Sequence, residues 1–282
     1  MSAGEDFLHG MAVASAQRAS ALLEQSGGDE ALLARALEQV AAPGLALRSG
    51  AFEIIAEIKL HSPAAGALAG PDEDLEARAR RYAAAGALAV SVLTEPERFG
   101  GSLGHLSQVA QALQAADVPV MAKDFLVDPG QISAARLAGA GGVLLIVTML
   151  DDEQCARMLA RADELGMFVL IEAFDAQDLV RAGALLHGRG AERSPVLVGL
   201  NSRDLRSLEV DPGRLIRLAE QFPAGWPRVA ESGIGTPEDA AAMAAAGYDA
   251  GLVGTALMRA PAPDVLLAGM REAGSAARAE RR

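Results

Sequence analysis

The chain has 282 residues, 51% of them hydrophobic and 22% charged, with a formal net charge of −12, a balance typical of globular rather than disordered, fibrous or membrane proteins. That charge argues against broad binding to nucleic acid or an anionic membrane, both of which require a basic face, but leaves room for an anionic small molecule held by a few cations. A lone cysteine, Cys155, excludes a disulfide framework or a cysteine-built zinc cluster, and the acidic N-terminus reads as neither export signal nor membrane span, so a reducing cytoplasm is the expected compartment.

Two helical stretches, near Met11 to Gln25 and Glu30 to Val40, fall within an N-terminal extension of residues 1–50 that is expected to cap the bottom of the following domain or flank its mouth. Short β-branched or aliphatic runs then recur: Ile54 to Ile58, Ala87 to Leu93, Val118 to Ala122, Gly142 to Val147, Phe168 to Ile171, Val196 to Leu200, Arg228 to Ala230 and Ala250 to Val253. Each is followed by a longer stretch with helical spacing. Near-continuous apolar character is expected of strands covered by helices outside and by a packed interior inside, so residues 51–269 are predicted to form a (β/α)8 barrel. Helix starts are marked by Pro71-Asp72-Glu73, Asp128-Pro129, Asp151-Asp152-Glu153 and Thr236-Pro237-Glu238-Asp239. Gly86, Gly139, Gly166 and Gly247 stand where helices should end in a left-handed cap. His187 to Ser194 reads as an exposed loop, and the Ala/Arg-rich tail, 270–282, is expected to fray.

In such a barrel the active site forms at the C-terminal ends of the strands, and the residues there are strongly polar. They are Glu57 and Lys59, Thr94 and Glu95, Lys123 and Asp124, Glu172, Asn201 and Arg203, Glu231 and Ser232, then Gly254 and Thr255. Only two of the 25 basic residues are lysines, Lys59 and Lys123, and the chain has one asparagine, Asn201. All three fall on the rim. Arginine serves wherever a surface charge is enough, whereas a lysine with a lowered pKa exchanges a proton near neutrality, so retained lysines beside Glu172 point to proton transfer. A Glu–Lys pair also ties neighbouring strands together in many barrels, which is the structural alternative for Glu57, and Thr94 and Glu95 read more simply as loop-shaping residues. Ser232-Gly233 after the seventh strand and Gly254-Thr255 after the eighth let backbone N–H groups approach an anion, the arrangement of a barrel phosphate site. The four histidines are scattered, so neither a metal nor a cofactor is expected.

In order, the segments IIAEIKLHSPAAG, SVLTEPERFGGSLGHL, PVMAKDFLVDPGQI, LIEAFDAQDL, VGLNSRDLRSLEVD and AESGIGTPEDAAAMAAAGYDAGLVGTALM resemble the indole-3-glycerol-phosphate synthase family from about Ile54 to Pro263. The resemblance implies a phosphorylated substrate, 1-(2-carboxyphenylamino)-1-deoxyribulose 5-phosphate, closed to indole-3-glycerol phosphate with loss of carbon dioxide and water. It implies Lys123 as general acid on the ribulose carbonyl, Lys59 as a second acid that also meets the substrate carboxylate, and Glu172 as base in the dehydration. Which lysine acts in which step is left open by the sequence. Glu57 would orient a lysine, Asn201 would bind hydroxyls or the developing enamine, and Arg203 would hold the carboxylate side. Ser62, Gly233, Gly254 and Thr255 would handle phosphate and rim contacts, with Glu231 and Ser232 supporting them, and Phe99 and Phe125 would offer apolar surface to the aromatic ring.

The chain departs from the family in the stretch after Lys59, Leu-His-Ser-Pro-Ala-Ala-Gly, where further basic or polar residues are usual; His61 is the candidate to replace a lost basic contact. Thr255 stands where serine is common. A paralogous barrel lyase acting on a modified substrate is one alternative. Phosphoribosylanthranilate isomerase, a related barrel, would want a cysteine after the first strand, where Lys59 stands. A non-catalytic phosphate-ligand-binding barrel would need the terminal glycines but not the two rim lysines with Glu172. A monomer or weak homo-oligomer is expected.

Overall fold

The computed structural model of the chain describes residues 3–70, 73–190, 192–203 and 210–281. Helices α1 (Ala3–Ser26) and α2 (Asp29–Leu37) precede strand β1 (Glu53–Ile58), which leads into a small antiparallel hairpin of β2 (His61–Ser62) and β3 (Gly66–Ala67). There follow α3 (Leu75–Ala84), β4 (Ala89–Leu93), α4 (Pro96–Phe99), α5 (Leu103–Leu113), β5 (Val120–Lys123), α6 (Pro129–Leu137), β6 (Gly142–Ile146), α7 (Asp152–Glu164) and β7 (Phe168–Ala173). The chain ends through α8 (Ala176–Leu185), β8 (Val196–Asn201), α9 (Pro212–Leu218), β9 (Arg228–Glu231), α10 (Pro237–Ala246), β10 (Ala250–Val253), α11 (Thr255–Arg259) and α12 (Pro263–Glu280). Strands β1, β4, β5, β6, β7, β8, β9 and β10 pair in parallel and in that order, and β10 closes on β1 with Ala56 opposite Val253. The result is the (β/α)8 barrel that the alternation predicts.

Two apolar layers follow from the period-two alternation of the strands. Ile54, Ala56 and Ile58 of β1, with Val169 and Ile171 of β7, pack outward under the helices, whereas Ile55, Met121, Leu144, Phe168, Leu170, Leu197, Val229 and Leu252 fill the barrel interior. The helix starts are capped as their residues suggest: Asp128, Asp151 and Thr236 each make a capping box for α6, α7 and α10. Helix α3 differs. It begins at Leu75, capped by the Asp74 carboxylate, rather than at Pro71-Asp72-Glu73, of which Pro71 and Asp72 lie outside the described residues. Gly86, Gly139, Gly166 and Gly247 all have positive φ, the backbone that ends a helix in a left-handed turn.

The N-terminal segment touches both ends of the barrel. Leu45 and Leu47 pack onto the interior layer near Glu53, which is fully buried and held by Arg48 at 2.6 and 2.8 Å. Helix α1 instead flanks the mouth: Arg18 Nη2 donates to Asp124 Oδ1 at 2.9 Å, and Gln131 Nε2 donates to Ser15 Oγ at 2.9 Å.

The tail after Gly269 does not fray. Helix α12 runs on to Glu280, with Met270 and Gly274 buried. The Phe52 N–H donates to Ser275 Oγ at 3.1 Å, Arg271 reaches Glu53 at 3.4 Å, and Arg278 bonds the Tyr248 carbonyl at 2.8 Å and pairs with Asp249. Alanine and arginine dominate this segment because small side chains allow the helix to lie close to Phe52 and the arginines reach back to acidic residues at the strand starts, a pattern that composition alone cannot tell from a solvated tail.

Candidate active site

Alternation along the strands decides which rim residues face inward. Glu57, Lys123, Glu172, Asn201 and Glu231 each stand two residues beyond an inward-facing position, namely Ile55, Met121, Leu170, Gly199 and Val229, and therefore point into the mouth of the barrel. Asn201 and Glu231 are register partners, whereas Glu57 lies opposite Ser91, Lys123 opposite Leu93, and Glu172 opposite Ile146 on one side and Gly199 on the other. Glu57, Lys123, Glu172, Asn201 and Glu231 line one cavity of about 630 Å³, together with Lys59, Ser62, Phe99, Phe125, Arg203, Ser232, Gly233, Gly254 and Thr255, so the rim residues singled out in the sequence, Thr94 and Glu95 apart, converge on a single space.

At its centre Glu57 faces both lysines, with Lys59 Nζ 2.6 Å from Oε1 and Lys123 Nζ 3.7 Å from Oε2. Burial pushes the Glu57 carboxyl up, but the two ammonium groups more than offset it and hold it below its ordinary value. Lys123 reverses the expectation of a lowered lysine pKa. Burial pulls it down, yet the carboxylates of Glu57, Glu172 and Glu231 together carry it above the ordinary lysine value. Across the cavity Asn201 Nδ2 donates to Glu172 Oε1, and Asn201 Oδ1 accepts the Arg203 N–H at 2.9 Å. Glu231 is pushed well above the ordinary carboxylate value by burial and by the charge of Glu172. Burial lowers Arg203. Asp204 and Leu205, which complete the Asn-Ser-Arg-Asp-Leu stretch, lie outside the described residues.

The glycine-rich ends of β9 and β10 form one wall. Ser232 and Gly233 both have positive φ, 66° and 78°, and the Ser202 N–H donates to the Glu231 carbonyl at 2.9 Å while its hydroxyl lies 3.1 Å from the Ser232 carbonyl, which fixes the turn. A Cβ at Gly254 would lie 2.9 Å from Lys59 Nζ and nearer still to the Glu57 carboxylate, so this glycine is required by the Glu57–Lys59 pair itself.

Other rim residues serve structure. Glu95 accepts the N–H groups of Glu97, Arg98 and Phe99 and so starts α4, while the Thr94 hydroxyl donates to Asp124 at 2.9 Å. His61 does not replace a basic contact in the site: it is exposed, and its Nδ1–H donates to the Arg98 carbonyl at 3.0 Å, tying the β2–β3 hairpin to α4. Cys155 is buried, its thiol pushed up to about 11 by burial.

Phe7 and Arg259 are among the lining residues that escape the sequence reading. Phe7 of α1 packs edge-on to Phe125 at 6.1 Å, and Phe125 in turn meets Phe99 at 6.2 Å, which makes a three-ring apolar wall. Arg259, at the end of α11, lines the opposite lip and donates to the Ala65 carbonyl at 3.2 Å. Nothing local distinguishes Phe7 from a helix core residue, and Arg259 stands just past the last glycine motif. Among the described residues, no helix is long and apolar enough to cross a membrane, and no group of three or more His, Cys, Asp or Glu side chains is placed to hold a metal.

A family model described as indole-3-glycerol phosphate synthase matches residues 23–268. The chain is 41% identical to the indole-3-glycerol phosphate synthase of Parafrankia sp., over 98% of this chain and 97% of that one. It is 44% identical to the indole-3-glycerol phosphate synthase of Micrococcus luteus, over 79% and 78% respectively. Among solved structures, thiamine phosphate pyrophosphorylase from Pyrococcus furiosus superposes with a TM-score of 0.57 at 16% identity, covering 82% of this chain and 99% of that one. A mandelate oxidase variant gives a TM-score of 0.57 at 19% identity, over 90% and 91%. These two share the fold.

Proposed function

Because the chain belongs to the indole-3-glycerol phosphate synthase family, the carboxy-lyase of tryptophan biosynthesis, we propose how its rim residues divide the chemistry. The reaction converts 1-(2-carboxyphenylamino)-1-deoxyribulose 5-phosphate to indole-3-glycerol phosphate, carbon dioxide and water. The observation that carries the division is Glu57 set between Lys59 and Lys123, across the cavity from Glu172 and Asn201.

In ring closure the anthranilate carbon that bears the carboxylate attacks the ribulose carbonyl, and the carbonyl oxygen takes a proton from Lys123. The carboxylates of Glu57 and Glu172, the two largest raising charges, keep Lys123 an ammonium at neutral pH, so the acid is present when the oxygen gains charge. Loss of carbon dioxide returns the bonding electrons to the ring. Dehydration then needs a proton on the departing hydroxyl, supplied by Lys59, and a base for the proton lost from the substrate, supplied by Glu172. Asn201, which holds Glu172 in place, also binds the hydroxyls or the developing enamine. Arg203 holds the carboxylate side, and Phe99 and Phe125 bound the aromatic ring. Ser62, Gly233, Gly254 and Thr255 take the phosphate, supported by Ser232 and Glu231.

This reading includes a cytoplasmic protein, a monomer or weak homo-oligomer, with no nucleic-acid partner; the net charge of −12 supports the last point. The test is indole fluorescence on mixing purified protein with the carboxyphenylamino-deoxyribulose phosphate, run beside Lys123→Ala. A rising signal that the variant loses supports the assignment; a flat signal from folded, substrate-binding wild type sinks it.

A further inference from the structure

Glu231 ends β9 on the wall of the cavity, is 1% exposed, and has both carboxyl oxygens buried without a hydrogen-bond partner among the described residues. Its Oε1 fills the space that a Cβ at Gly199 would need, so the side chain lies across β8 toward β7, where Glu172 is the register partner of Gly199. The charged groups that face it are Glu172 from β7, Lys123 from β5 and Glu57 from β1. Its register partner on β8, Asn201, is already engaged through both ends of its amide, to Glu172 and to the Arg203 N–H. Lys123 is drawn to Glu57. Neither Asn201 nor Lys123 gives Glu231 a hydrogen bond, and both of its carboxyl oxygens lie buried without a donor among the described residues.

An ionised carboxylate buried without donors neutralises rather than bear the desolvation, and two neighbouring carboxyls do not both ionise. Of the pair, Glu172 holds the Asn201 N–H and Glu231 holds none, so the proton belongs on Glu231. The lysine count agrees: Lys59 and Lys123 balance Glu57 and Glu172, one for one.

We propose that Glu231 works un-ionised, as a carboxylic acid whose O–H donates to an oxygen of the substrate's pentulose chain, leaving Glu172 the sole ionised carboxylate on the β7–β9 wall. The proposal rests on the reaction assigned above and refines the role of Glu231 in it, from general support of the rim to a hydrogen-bond donor at the reacting chain. It also explains why Glu172 is the base: a neutral neighbour offers a proton where Glu172 accepts one.

The variants Glu231→Gln and Glu231→Ala separate the possibilities, because the amide keeps a donor in the same outline and alanine removes it. Steady-state kinetics are read with infrared difference spectra of wild type minus Glu231→Gln at neutral pH. The expected result is the C=O stretch of an un-ionised carboxyl in the difference spectrum. With it, Glu231→Gln stays within about tenfold of wild-type kcat/KM and Glu231→Ala falls by about a hundredfold or more, the scale of a lost donor in a dry site. A carboxylate band in place of the acid band, or a folded Glu231→Gln as damaged as Glu231→Ala, overturns the proposal. If the glutamine variant does not fold, the wild-type acid band followed with pH decides instead: it must persist above the ordinary carboxylate range. The infrared readout needs no turnover, so a wild type that makes no indole product would reject the assigned reaction while the protonation of Glu231 is still decided.

Discussion

Glu57 and Lys59, two residues apart at the end of β1, meet at 2.6 Å, and Glu57 also lies 3.7 Å from Lys123. One carboxylate thus faces both candidate acids and raises Lys123. In Glu57→Gln that attraction is removed, and the burial that pulls Lys123 down meets less opposition, chiefly from Glu172. The ammonium then loses its proton at lower pH, so the alkaline limb of kcat moves down, by about one to three pH units on the usual scale of such a neighbour. A pH–rate profile of the variant checks this. An unmoved limb with reduced kcat would mean that Glu57 holds the lysines in place without setting their protonation.

Gly254→Ala tests the same pair from the other side of the β1–β10 seam. The added methyl would meet the Glu57 carboxylate and come within 2.9 Å of Lys59 Nζ. The expected outcome is a fold that survives at a loss of about 1–3 kcal/mol, the usual scale of overpacking, with kcat/KM reduced by roughly a hundredfold because the acid is displaced. Denaturant unfolding and steady-state kinetics together decide it. Activity near wild type would show that the pair tolerates displacement.

Most of this site is legible in the sequence because β-strands repeat every two residues and barrels place function at strand ends. Once Ile54 to Ile58 is read as a strand, Glu57 and Lys59 are fixed to the rim, and the same reasoning reaches Lys123, Glu172, Asn201 and Glu231. What the sequence hides is long-range. That Lys123 is held above rather than below its ordinary pKa depends chiefly on the carboxylates of Glu57 and Glu172 from two other strands, and no spacing along the chain reports their distances. Likewise Phe7 joins the site only because Arg18 and Ser15 dock α1 against Asp124 and Gln131.

Phe7 is the contribution of α1 to the apolar wall, edge-on to Phe125 at 6.1 Å. Phe7→Ala is expected to raise KM by about tenfold, which corresponds to about 1.4 kcal/mol and lies within the range of an aromatic contact with its buried area. The kcat should change less, since Phe7 is placed against the ring rather than beside Lys59 or Lys123. An unchanged KM would mean that the substrate ring leans on Phe99 and Phe125 alone.

The last prediction concerns the segment that composition disguises as a loose tail. Deleting 270–282 removes Met270 and Gly274 from the core and takes away Arg271 and Arg278, the partners of Glu53 and Asp249. Glu53 is fully buried, so it loses one of two cations in a place where an unpaired carboxylate is costly. Loss of one buried methionine with the cavity it leaves costs about 2–5 kcal/mol. At about 2–4 °C per kcal/mol for a domain of this class, the truncated protein should melt about 4–20 °C below the full chain, and mass action makes substrate binding recover part of that loss. Thermal unfolding followed by circular dichroism, with and without the phosphorylated substrate, measures both effects. A truncated chain that melts with the wild type would show that α12 rests on the barrel without holding it, and that Glu53 needs only Arg48.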